Sequence, residues 1–205
     1  MASVATGEYP NSPLSIAASP SADGGIDRQS PMNAETFYVL CDEEGFYGEL
    51  HDGKAIEMTP PGMEHAGITG DMCLMVSSFV RSKKLGQVFA KAGFIVSRNP
   101  DSVFGPDLAY IAKDRLPSPL PKDFSEVLPD LAVEVVSPDD RFSEVRNKTE
   151  RYLQAGVREV WVVDPRRQVV EISWSVNDTI TLKKGETLET PVLPGFQLSI
   201  SEIFE

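Results

Sequence analysis

Residues 131–136, Leu-Ala-Val-Glu-Val-Val, limit what this chain can become more than any other segment. An apolar run of strand length, broken only by Glu134, fits a strand covered on both faces, as in a sheet enclosed by helices. Ser137-Pro138-Asp139-Asp140 ends the run and starts a helix. Phe142, Val145, Thr149, Tyr152 and Leu153 supply its buried stripe to about residue 155, and Gly156 closes it. Residues 159–163 are the next strand. Strand, helix and strand in this order form a βαβ unit, which implies a parallel pair.

The remaining elements arrange themselves around that unit. A short helix is expected over residues 33–41. Strands over 46–50 and 54–58 flank Asp52-Gly53, whose tolerance of positive φ makes a hairpin. Ile68, Met72, Met75, Val76, Phe79 and Val80 recur at helical spacing, so a long helix is expected from about residue 64 to 84, stopping at Gly86. Residues 88–96 hold one or two strands with Gly93 at a bend, 108–112 a further strand, and 116–121 a proline-rich loop. Residues 169–174 and 179–182 pair as a closing meander. The fold class is α/β or mixed α+β: a mixed sheet with one long helix before its centre and one after. Residues 1–32, rich in Ser, Ala, Pro, Gly and Asp, read as a disordered tail, and 33–205 as one domain.

Composition narrows the chemistry. No apolar run approaches the ~20 residues that span a bilayer, and no secretory leader pattern is visible, so a cytoplasmic protein is expected. Cys41 and Cys73 suit neither a disulfide framework nor a thiolate zinc site, and His51 and His65 are too few for an imidazole cage. Any metal would be held by oxygen, which favours Mg²⁺ or Mn²⁺. The net charge of −12 is unusual for a protein that binds a polyanion over its whole surface. Residues 131–167 are balanced, however, with seven basic and seven acidic side chains. A restricted basic face or a bridging cation would be needed.

Three acids and one amine are the candidates. Glu134, within its apolar run, either faces a polar cleft or a partner, or lies at a strand end in an ordinary salt bridge. Asp107 follows Pro106 at the mouth of a strand, a place equally open to a turn aspartate. Glu49 stands beside the Asp-Gly turn, where it serves a site or a solvated hairpin face. Lys148 and Arg141 lie beside the apolar stripe of their helix, within reach of the sheet if they do not turn outward. Together the acids suggest carboxylates around a divalent cation, with a lysine holding the attacking water. Cys73 is expected in the core, and His65 as a polar helix-start residue or a member of the site.

The order of these pieces resembles the Uma-two family of restriction endonucleases, within the PD-(D/E)XK nuclease superfamily. The likeness covers about residues 33–205. It rests on Glu49-Leu50-His51-Asp52-Gly53, on Thr59-Pro60-Pro61 followed by His65, on Pro106-Asp107, on Leu131-Ala132-Val133-Glu134-Val135-Val136-Ser137-Pro138, and on the stretch from Lys148 through Gly156-Val157-Arg158-Glu159-Val160-Trp161 to Asp164-Pro165. The resemblance implies a restriction-endonuclease-like core and Mg²⁺-dependent (or Mn²⁺-dependent) phosphodiester hydrolysis; DNA is the expected substrate, and a homodimer is expected because two-fold DNA sites are commonly met by two-fold proteins. It makes Asp107 and Glu134 the metal ligands, with Glu49 completing or supporting their shell. The superfamily lysine would fall at Val136, so Lys148 takes that part from the following helix. Gly48 stands where an aromatic residue is typical. Two rival readings are a nuclease fold that binds without cutting and a phosphoesterase of small nucleotides.

Overall fold

The computed structural model describes residues 25–138 and 140–205. Most of the expected tail, residues 1–24, lies outside them. The part within them is built into the domain, because Met32 is buried and its N–H donates to the Gly53 carbonyl at 2.8 Å. Ile26 packs against the same cluster, so the chain joins the core before residue 33.

Helix α1 (Ala34–Glu43) begins at Asn33, whose side chain accepts the Thr36 N–H at 2.9 Å. The hairpin of β1 (Gly48–His51) and β2 (Lys54–Glu57) turns through Asp52 and Gly53 at φ 50° and 80°, as the Asp-Gly pair requires. Helix α2 (Met63–Lys83) buries Met72, Val76 and Val80. Its left-handed cap is Lys84, two residues before the glycine expected to stop it. Gly86 instead opens β3 (Gly86–Ala90), where an added Cβ would run into the Ile111 carbonyl across the ladder. The strand region expected over 88–96 divides into β3 and β4 (Phe94–Ser97), which belong to different sheets.

Two sheets result. Strands β2, β1, β5 (Ser102–Phe104) and β4 form a four-stranded antiparallel sheet closed on one side by α1. The second has six strands, in the order β10 (Asp178–Lys183), β9 (Val169–Ser175), β8 (Glu159–Asp164), β7 (Leu131–Val135), β6 (Leu108–Ala112), β3. Its one parallel pair is β7 with β8, joined by α3 (Phe142–Ala155). This is the expected βαβ unit within a mixed sheet.

Alternation along β7 sends Leu131, Val133 and Val135 to the α2 face and Ala132 and Val136 to the α3 face. Each face is covered, which is why the run reads as continuously apolar. Phe142 and Arg141 depart from expectation. They start α3 beyond the rim of the sheet and are 68% and 81% exposed, so the buried part of the stripe begins at Val145. The pair β11 (Thr187–Glu189) and β12 (Gln197–Ser199) and the short α4 (Ile200–Ile203) complete the core on the α2 face.

Candidate active site

Strands β6 and β7 pair Leu108 with Val133. Asp107, just before β6, and Glu134, just past the last paired residue of β7, therefore stand at the same end of that ladder. The Val135 N–H donates to Asp107 Oδ2 at 2.7 Å and holds the aspartate there. Pro106 leaves no competing backbone donor ahead of the strand. Two acids 27 positions apart in the chain are thus brought close enough for their charges to interact, because β6 pairs with β7.

Glu49 does not come from the sheet that carries the other two acids. It lies on the other sheet and reaches the first through the link between β5 and β6, where the Gly105 N–H donates to its Oε1 at 2.9 Å. Lys148, on α3, joins the two sheets. Its Nζ is 2.7 Å from Glu49 Oε1 and 2.8 Å from Glu134 Oε1, with the Phe104 and Tyr152 rings 5.7 and 5.9 Å away. Tyr152, one turn further along the helix, donates its hydroxyl to Glu134 Oε1 at 2.8 Å. Val136, at the usual lysine position, packs against the α3-side cluster, so the amine of this site comes from the helix.

The charges are set by these partners. Burial resists ionisation of Glu49, but Lys148, the His51 ring at 3.1 Å and the Gly105 N–H together hold it down at about 2. Asp107 is also held at about 2: burial is outweighed by His65, Lys91 and the Val135 N–H. Glu134 goes the other way. Burial pushes it up to about 7, helped by the Asp107 and Glu49 carboxylates, against the pull of Lys148. Lys148 is raised despite burial, because two carboxylates face it.

His65 and Lys91 complete the cluster. From the first turn of α2, His65 brings Nε2 to 3.3 Å from Asp107 Oδ2. Lys91, in the turn between β3 and β4, brings Nζ to 2.5 Å from Oδ1. His65 stands at a helix start after a Pro-Pro-Gly segment, a legible position. Nothing local marks Lys91. Tyr152 could have been read from its spacing of four from Lys148.

Among the described residues, no three His, Cys, Asp or Glu side chains stand together as a ready metal shell. Lysines occupy that neighbourhood. Glu49 has both oxygens engaged, by Lys148 and Gly105 on one and His51 on the other, which suits a supporting acid. Asp107 Oδ1 meets no hydrogen-bond geometry, and Glu134 Oε2 has no partner among the described residues. Two hard carboxylate oxygens at the same end of the β6–β7 ladder fit Mg²⁺, which is bound through one or two carboxylates and keeps several waters.

A solved structure with the same architecture is a protein of Anabaena variabilis described as a "putative nuclease belonging to DUF820". It is 22% identical with a TM-score of 0.75, over 85% of this chain and 98% of that one. No curated protein matches the sequence. The model of the Uma2 family, described as "Putative restriction endonuclease", matches residues 34–201, and this chain belongs to that family.

Proposed function

We propose that the protein is a nuclease that hydrolyses phosphodiester bonds of DNA with the help of Mg²⁺ or Mn²⁺. The observation that carries the reading is the Lys148 ammonium 2.8 Å from Glu134, whose carboxylate also feels the charge of Asp107 at the same end of the β6–β7 ladder. When bound, the cation would lower the pKa of a water and offset charge developing on a phosphoryl oxygen. Asp107 and Glu134 would hold it through Oδ1 and Oε2. Glu49 fixes Lys148 from the opposite sheet, and Lys148 orients the attacking water beside Glu134. A two-fold dimer would match two-fold DNA, and the free thiols of Cys41 and Cys73 suit the cytoplasm. Among the described residues no helix is long and apolar enough to cross a membrane.

Plasmid nicking tests this. Nicking should require Mg²⁺ or Mn²⁺, stop with EDTA, and disappear in Asp107→Ala and Glu134→Gln; nicking that survives both substitutions would remove the proposal. One observation favours a second reading, a nuclease fold that binds without cutting: the chain's own lysines already neutralise the carboxylates. Calorimetry with Mn²⁺ separates the two, since a silent fold gives no heat.

A further inference from the structure

Asp107 offers one oxygen to a ligand. Oδ2 is taken by the Val135 N–H and by His65, whereas among the described residues Oδ1 is buried without a hydrogen bond and is met only by the Lys91 ammonium at 2.5 Å. A buried carboxylate oxygen costs free energy unless a charge or donor compensates it. Lys91 supplies that charge from outside. Its side chain is 38% exposed, against 2% for Asp107, so it reaches in from the solvent edge and can withdraw along the same path. Its backbone lies at φ 53°, a left-handed conformation that residues with a Cβ rarely adopt, in the turn between β3 and β4.

We infer that Lys91 is a displaceable placeholder cation: it neutralises Asp107 Oδ1 until a divalent ion takes that oxygen, and is then released to the mouth of the site. Lys148 differs. It is mostly buried, bonded to acids of both sheets, and stays in place as part of the framework. The proposal rests on the reading of a divalent ion at Asp107 and Glu134, and the test separates the two.

The wild-type protein is acetylated with N-hydroxysuccinimidyl acetate with and without saturating Mg²⁺, and each lysine is followed by peptide mass spectrometry. Paired with Asp107, the Lys91 amine is protected; released, it should react several-fold faster, while the exposed Lys113 and Lys184 keep their rates. In parallel, calorimetry compares Mn²⁺ binding to wild type and to Lys91→Met, which is expected to bind about tenfold tighter with its competitor gone. Lys91→Arg, which keeps the charge, controls for the general loss of a positive group and should stay near wild type. Mn²⁺ heat with unchanged Lys91 labelling would overturn the placeholder and leave the ion site standing. No heat in wild type or in Lys91→Met would overturn both.

Discussion

Glu134 titrates in the opposite sense to its two acidic neighbours, and stability should follow. Raised from 4.5 to about 7, it keeps its proton in the folded protein where the unfolded chain has lost it, so stability falls as pH climbs from about 4.5 to about 7. His65, raised above its ordinary 6.5, extends that decline upward. Asp107 and Glu49 are lowered to about 2 from 3.8 and 4.5, so their contribution is present above those ordinary values and is lost as pH drops toward 2. The urea midpoint should therefore peak near about pH 5. Glu134→Gln should flatten the limb between about 4.5 and 6.5 and leave the acid limb in place; a wild-type midpoint that rises from pH 5 to 7 would contradict the assignment. At this scale the sequence is informative about Asp107, Glu134 and Lys148 and silent about Lys91, which meets Asp107 only because β3 pairs with β6.

Gly48 shows how an element fixes a residue's identity. A Cβ there would strike the Ile56 carbonyl on β2 and come within 2.6 Å of the Phe46 ring, so the hairpin excludes the aromatic expected from the family pattern. Gly48→Ala should cost about 1–3 kcal/mol, from overpacking between paired strands, and should shift Glu49 away from Lys148. Gly67, in the exposed part of α2 with nothing near its Cβ direction, is the natural control. Gly67→Ala should stabilise by about 0.5–1 kcal/mol through helix propensity alone. Urea denaturation of both variants checks the pair, and equal effects would refute the strand-contact argument. The hairpin, both long helices and the βαβ unit were legible because turn chemistry and periodicity are local. The division of β3 from β4 was not, since strand propensity does not say which sheet a strand joins.

Across the whole molecule, Glu159 ties the end of the chain to the sheet. Fully buried on β8, it accepts the Trp161 indole N–H at 2.5 Å, the Trp174 indole N–H at 2.7 Å and the Thr190 hydroxyl at 2.8 Å. Those donors come from β8, from β9 and from the segment after β11. Glu159→Ala would strand two indole N–H groups and a hydroxyl, for an expected loss of about 3 kcal/mol or more. These are the chain's two tryptophans, so intrinsic fluorescence reads the change directly. An unaltered spectrum and urea midpoint would show that the knot does not hold the C-terminal segment.

Spacing and residue type alone determined the covered strand at residues 131–136, the helix after it, the Asp-Gly hairpin and the acids worth testing. These depend on backbone conformations and side-chain periods that extend over a few residues. Tertiary structure alone decided which charges meet: Lys148 with Glu49 across two sheets, Lys91 with Asp107 at the end of the β3–β6 ladder, His65 with Asp107 from a helix start. An ion pair requires closeness in space, and closeness between distant residues is set by how strands pair and sheets are covered.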